Sequence, residues 1–586
     1  MIRTLLAHVK QYKRATILTP IMMIGEVVME TLIPLITAML IDQGIQQGDM
    51  SKTWLYGLAM LAMAFASLAF GIGGGRYGAQ ASAGFAANLR NAMYENIQTF
   101  SFSNIDKFST AGLVTRMTTD VTNMQNAFQM VLRIAVRAPL QLIFSMVMCF
   151  IIAPDLSLIF LGAIVFLGVC LGLIVKVATK RFSKLFEKYD GLNASVQENV
   201  SAIRVVKAFV REDYESKKFN KAAKALRDFS INAEKIVILN NPIMMTVVYA
   251  CIILLSWLGA QHIVAGSLTT GELTSLFSYV MTSLMSLMML SMIFVMLTMS
   301  LASGKRICEV LNEKADLVNP EDPVMDVKDG SVDFDHVTFA YKTGTGEPTL
   351  KDIDIHIKSG ETIGIIGGTG CGKSSLVNLI SRLYDVQSGA VRVGGLDVRK
   401  YDLEALRNAV SVVLQKNVLF SGSFLDNLRW GKEDATLEEA REACRLACAD
   451  EFVEAREEGY DTHVEQGGNN VSGGQKQRLC IARALLKHPK VLILDDSTSA
   501  VDTATDAKIR QAFATKIPGT TKLIIAQRIS SVMDADRILV LDNGQVNGFG
   551  SHDELMQSNE IYREIYETQT QGGGDFDQPG QNGGVA

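Results

Sequence analysis

The sequence predicts an α-helical domain of six membrane spans fused to an α/β P-loop nucleotide-binding domain. Three observations carry that expectation. Up to about residue 305 the chain holds six long apolar stretches, each near the roughly 20 residues that a bilayer span needs. After residue 331 charge becomes frequent, and short apolar runs alternate with helical patterns. Within that second half "GIIGGTGCGKSS" fits G-x-x-x-x-G-K-[ST], between an apolar strand ("TIGII") and a helix ("SLVNLISRLY"). That is the context in which the motif cradles phosphates.

The bulk numbers agree. A chain of 586 residues suits two or three domains. A positive mean hydropathy beside 20% charged residues fits a membrane part joined to a soluble part. The net charge of −5 offers no footing for a nucleic-acid partner. The eight cysteines are scattered without a C-x-x-C pair. Cys444 and Cys448 share a predicted helix turn with no histidine nearby, so reduced structural thiols are expected rather than a metal site. The first apolar stretch is too long for a signal peptide and lacks a small-residue cleavage site.

The spans fall at roughly 15–41, 54–77, 130–153, 156–177, 241–263 and 273–301. Connections after the first, third and fifth are short, whereas those after the second and fourth are long, helix-like and rich in Lys and Arg. The positive-inside rule then places both long loops, both termini and the soluble part in the cytoplasm of a multi-pass cell-membrane protein. The expected boundaries are a membrane domain over 1–312 with two long intracellular loops, a polar linker over 313–330, and a nucleotide-binding domain over 331–568. A disordered Gly-rich tail is expected over 569–586.

Some polar residues lie inside the spans. Glu26 and Glu30 share a helix face by their four-residue spacing, as do Arg133 and Arg137, and Arg76 follows "GIGGG". They mark either a pathway or an internal ion pair and snorkelling side chains. In the sixth span Met281, Met285, Met288, Met292, Met296 and Met299 recur every three or four residues. That stripe is either packing against helix or lipid, or a soft wall able to repack around unlike apolar guests. Glu26, Glu30, Met285, Met288, Met292 and Met296 are the candidate substrate-cavity residues.

The P-loop runs through Gly367, Gly368, Thr369, Gly370, Cys371, Gly372, Lys373, Ser374 and Ser375. Its glycines let backbone N–H groups wrap the phosphates of ATP, Lys373 reaches the β- and γ-phosphates, and Ser374 ligates Mg²⁺. Downstream, "VLILDD" ends a buried strand on Asp495 and Asp496. One carboxylate can hold the metal's water shell, and the other can polarise an attacking water.

The stretch "NNVSGGQKQRLCIARALL" resembles the signature loop and helix of the ATP-binding-cassette transporters. The resemblance implies that Ser472, Gly473, Gly474 and Gln475 serve the γ-phosphate of a nucleotide held by a second cassette, packed head to tail. It also implies that Tyr341 in "FAY" stacks on adenine and that Gln415 in "VVLQKNVLF" touches Mg²⁺. Ser499 and Asp502 in "SAVD" would lie on the loop that crosses the dimer interface. Six spans ahead of one cassette look like a half-transporter of the domain-swapped exporter branch. "AGLVTRMTTDVTNMQ" and "AIRVVKAFVREDYESKKF" look like its intracellular loops, whose short helices, around 104–112 and 203–211, would dock on cassettes.

Two positions depart from that family. It carries Glu after the metal-binding Asp, and His in the switch loop; this chain has Asp496 and, in "LIIAQRISSV", Gln527. Aspartate withdraws the carboxylate by one C–C bond, ~1.5 Å. A misplacement near 1 Å costs about a hundredfold in rate, or about 2.7 kcal/mol of barrier. Glutamine cannot take up a proton as imidazole can. The expectation is a degenerate subunit of a heterodimeric exporter of small amphiphilic, multidrug-like compounds. It mostly holds ATP at its own site and completes the site of a second, competent half-transporter. The alternatives are a homodimer with two impaired sites, moving lipid or peptide, and an ATP-gated regulatory module.

Overall fold

The computed structural model describes residues 1–341, 347–496 and 501–571. Contacts divide the chain into two compact units: Met1–Gln98 with Thr110–Glu313, and Thr99–Ser109 with Lys314–Ala586. The principal helices of the N-terminal half are α1 (Lys13–Met39), α2 (Met50–Gln98), α3 (Phe102–Phe108), α4 (Val121–Ile152), α5 (Pro154–Ser201), α6 (Ile203–Ala208), α7 (Glu212–Val237), α8 (Asn240–Val264) and α9 (Thr270–Asn312).

Among the described residues of the first unit, six helical segments are long and apolar enough to cross a membrane. Local sequence sets their ends. Pro154, inside the short connection after the third span, opens α5 directly after its N-cap Ala153, where its missing N–H costs nothing. Thr269 and Glu272 form a capping box that starts α9. The 49 residues of α2 span about 74 Å at 1.5 Å per residue, more than twice the ~30 Å hydrocarbon core. The helix therefore continues well beyond the bilayer. Leu156, Phe160 and Leu167 of α5, Val248 and Leu255 of α8, and Leu276, Tyr279 and Leu284 of α9 form the packed centre of this unit. The Tyr279 hydroxyl donates to the Thr31 carbonyl of α1 at 2.7 Å.

The second unit is built from β1 (Val332–Phe339), β2 (Leu350–Ile357), β3 (Thr362–Gly367), α10 (Lys373–Ile380), β4 (Ser388–Val393), β5 (Val410–Val413), α11 (Gly473–Leu485), β6 (Val491–Asp495), α12 (Thr503–Lys516), β7 (Thr521–Ile525), β8 (Arg537–Asp542), β9 (Gln545–Gly550) and α13 (Glu560–Gln571). The main sheet runs β9-β8-β3-β7-β6-β5, parallel except for β9. A smaller antiparallel sheet is ordered β2-β1-β4. The parallel strands are apolar on both faces. Ile363, Ile365, Leu523 and Ile525 bury in one core with the smaller sheet and α10. Ile366, Leu492, Leu494 and Ile524 bury in the other, against α11 and α12. The carboxyl ends of β3, β6 and β7 thus deliver Gly367, Asp495 and the Gln527 loop to one edge, where open α/β sheets bind ligands.

One expectation shifts. The first transverse helix is α3, which lies ahead of the quoted "AGLVTRMTTDVTNMQ" and packs with the second unit. Ser101 and Asn104 form its capping box, Asn104 donates to the Lys314 carbonyl at 3.1 Å, and Tyr384 donates to Asp106 at 2.8 Å. The quoted stretch instead climbs through a π-helical turn into α4, anchored by fully buried Asp120, which accepts from Ser303 at 2.9 Å and pairs with Arg306. The linker is pinned to the second unit. Val324 exchanges backbone hydrogen bonds with Lys400 and Asp402, each 3.0 Å, and Asn319 accepts from the Leu403 N–H at 2.9 Å.

Candidate nucleotide site

The P-loop holds its shape because two of its glycines cannot be replaced. Gly367 has φ +150°, and a Cβ there would stand 2.2 Å from the Leu541 carbonyl oxygen. Gly372, φ +100°, opens α10, and a Cβ would meet the Leu350 side chain at 2.7 Å. Between them Gly368, Thr369 and Gly370 are exposed, while Cys371 packs inward. The Lys373 ammonium donates to the Gly367 and Gly368 carbonyls at 2.8 and 2.9 Å, contacts that a phosphate would exchange for its own oxygens. Ser374 Oγ donates to Asp495 Oδ1 at 3.0 Å. A hydroxyl and a carboxylate side by side are hard oxygen donors, the set that suits Mg²⁺ completed by phosphates and water. Tyr341 and Ser375 share a hydroxyl contact of 2.9 Å, and the Tyr341 ring meets Tyr384 edge-on at 5.1 Å.

At the tip of β6, Asp496 takes φ +49°, a left-handed conformation that Asp tolerates better than most residues. Its N–H donates to the Ile525 carbonyl at 3.1 Å. Its Oδ2 accepts from the Gln527 side-chain amide at 2.8 Å. The two positions that depart from the family pattern bind each other. Burial pushes the Asp496 carboxyl above its ordinary range, against hydrogen bonds from Gln415 and Gln527 that pull it down. Burial likewise raises Asp495, opposed by the Ser374 hydrogen bond and supplemented by the neighbouring Asp496 charge.

Ser472 caps α11, accepting from the Gln475 N–H at 3.4 Å while Gln475 Oε1 accepts from the Ser472 N–H at 3.2 Å. Ser472 and Gly473 stand exposed, and Gly474 is half-buried. Asp502 caps α12 through the Thr505 N–H at 2.9 Å. Ser499 lies outside the described residues. One contact has no counterpart in the sequence reading. Gln569, just past the expected domain end at 568, donates to the Gln527 carbonyl at 2.9 Å and accepts from the Ile529 N–H at 2.8 Å. The spacing of Tyr562, Ile565, Tyr566 and Gln569 along one helical face was the available signal.

Comparison with known proteins decides the family. Residues 16–288 match the ABC transporter transmembrane region and residues 350–499 match the ABC transporter domain. The ABC transporter ATP-binding protein YfiB of Bacillus subtilis (strain 168) is 36% identical, over 96% of this chain and 98% of its own. The chain is an ABC exporter. The ATP-dependent lipid A-core flippase of Desulfotalea psychrophila (strain LSv54 / DSM 12343) is 31% identical, over 82% of this chain and 84% of its own. The structure of a bacterial Atm1-family ABC exporter with ATP bound matches with TM-score 0.78 at 25% identity, covering 95% of this chain and 98% of that one.

In the exporter's membrane unit the acidic and basic residues of the spans meet. Arg137 of α4 donates to Glu26 Oε1 at 2.9 Å and to both Glu30 oxygens at 2.7 and 2.9 Å. Beside this cluster lies a cavity of about 360 Å³ lined by Glu30, Arg137, Gln141, Met281, Met285 and Met289, among others. So Glu30 and Met285 reach that cavity. Glu26 joins it only through Arg137, and Met288, Met292 and Met296 are exposed without lining it. Met289 was missed, because it lies one position off the stripe. The Met299 side chain lies outside the described residues. Arg76 is exposed, and the Arg133 stem lies against Gly78, where a Cβ would meet its Cδ at 3.1 Å.

Proposed function

We propose that this exporter chain is one half of a heterodimer in which its own nucleotide site retains ATP while the partner's site turns over. The hydrogen bond between Gln527 and Asp496, 2.8 Å, carries the reading. A water-polarising base needs a free carboxylate oxygen aimed at the water and a neighbour able to accept a proton. Here the shortened carboxylate is engaged by an amide, which cannot accept one. The Ser472 loop is intact, exposed and capped, which suits a γ-phosphate presented by a second cassette. When bound, Mg²⁺ would neutralise phosphate charge at Ser374 and Asp495, with Gln415 beside them. The chain's own residues then do the holding: Gly368 to Gly372 wrap the phosphates, Lys373 neutralises them, and Tyr341 stacks on the base.

Two exposed apolar patches support dimerisation with exchanged loops. On the membrane unit, Val205, Phe209 and Val210 around α6 are 57%, 73% and 80% exposed. On the cassette, Val418, Phe420 and Trp430 are exposed, with the two rings stacked at 4.1 Å. Patches of this kind mark interaction sites. Each is offered to the other subunit, with the cassettes and both termini cytoplasmic. The methionines and the carboxylate-guanidinium cluster at the cavity favour an amphiphilic substrate leaving the bilayer or cytoplasm, and the likeness to lipid A-core flippases is consistent with a lipid-like body. The test is ATP turnover by the chain purified alone and then with the co-purifying second subunit, in nanodiscs. Low turnover alone, rising at least tenfold with the partner, is expected; brisk turnover by the chain alone would establish a homodimer.

A further inference from the structure

We propose that Gln569, on the C-terminal helix, is a positioning residue that latches the switch loop and holds Gln527 on Asp496. Its amide grips the loop on both sides of Arg528, donating to the Gln527 carbonyl at 2.9 Å and accepting from the Ile529 N–H at 2.8 Å. Both backbone groups follow β7, where no sheet partner can satisfy them in the same way. The Gln527 side chain in turn donates to Asp496 Oδ2 at 2.8 Å. A continuous relay therefore joins the C-terminal helix to the second aspartate of the nucleotide site.

The helix that carries Gln569 is anchored independently of the loop. Tyr562, fully buried, meets His552 Nδ1 through its hydroxyl at 2.6 Å, and its N–H donates to Asn559 Oδ1 at 2.8 Å. Ile565 and Tyr566 pack against the same core. Gln569 stands two turns beyond Tyr562, on the same helical face. The side chain is exposed, so it adds little to the core. Its amide offers one donor and one acceptor at the spacing that a peptide backbone presents. The Gln569 amide satisfies both loop groups; Glu can accept from Ile529 but cannot donate to Gln527.

The latch keeps the Gln527 amide on Asp496, and so keeps this site in its retaining arrangement. The inference rests on the reading that the site retains ATP. The wild-type release rate judges that reading, and a double-mutant cycle judges the latch. Bound Mg²⁺-ATP would be chased from the intact purified transporter in wild type, Gln569→Ala, Gln527→Ala and the double variant. Gln569→Ala should speed release of the retained ATP about fivefold, the loss expected for one hydrogen bond's worth of positioning. In the Gln527→Ala background the same change should have no further effect, because the group it positions is gone. Gln569→Glu should fall between wild type and Gln569→Ala. Equal acceleration in both backgrounds would reduce Gln569 to general helix packing, and unchanged release in both would remove the latch. If wild-type release is fast, the retention reading fails, and the cycle run on turnover still decides whether Gln569 acts through Gln527.

Discussion

Asp495 illustrates what a nucleotide site costs at the scale of one residue. Its side chain is 6% exposed, and burial raises its pKa above the unfolded value. For an acid with a raised folded pKa, stability is fully present below the unfolded pKa and falls as pH rises through the folded one. The ionised Asp495 carboxylate therefore opposes folding at neutral pH. Asp495→Asn should stabilise the cassette near pH 7, with the gain shrinking as pH falls below the carboxylate range, while Mg²⁺-ATP binding weakens. Denaturant titration of the full transporter across pH checks both. The identities of Asp495, Asp496 and Gln527 were legible in the sequence, because each is a single letter in a recognisable frame. The bond between Asp496 and Gln527 was not, since the residues are 31 apart in sequence and meet only because β6 and β7 are parallel neighbours.

At the scale of elements, Ser472 caps α11 and is proposed to serve a nucleotide as well. Losing an N-cap hydroxyl costs about 1 kcal/mol, a fraction of the 5–15 kcal/mol that holds a typical domain. Ser472→Ala should therefore lower the melting temperature by a few degrees only, while ATP turnover of the assembled transporter drops at least tenfold if, as proposed, the hydroxyl serves the nucleotide of a second cassette. Turnover and melting measured on the same preparation separate the two jobs. Spans and strands could be read directly, since apolar runs of 20 and of five residues have different physical destinations. The short helix α3, Phe102–Phe108, overlaps the expected 104–112 but starts and ends earlier for a physical reason. Its limits are fixed by distant partners of Asn104 and Asp106, Lys314 and Tyr384, and the local pattern does not encode them. The strap over Val324 and Asn319 escaped for the same reason, since a polar, proline-bearing segment looks alike whether free or pinned.

At the scale of the whole molecule, charge inside the bilayer organises the membrane unit. Arg137 joins α4 to α1 through two carboxylates, and the sequence offered only their spacing. Removing one member of this half-buried cluster leaves the others uncompensated, whereas replacing it whole by neutral groups is milder. Arg137→Met should cut the yield of folded transporter sharply, and Arg137→Met with Glu26→Gln and Glu30→Gln should restore most of it, as read by size-exclusion recovery in detergent. The two nucleotide sites are proposed to divide the labour, one retaining ATP and the other turning it over. The direct measurement is steady-state ATP turnover of the assembled two-subunit transporter carrying Asp496→Ala, beside the same assembly lacking the partner's catalytic carboxylate. The account predicts that Asp496→Ala leaves turnover within about threefold of wild type, while loss of the partner's acid lowers it about a hundredfold or more. Equal collapse in both would contradict it, and Asp496 would then be a working catalytic residue.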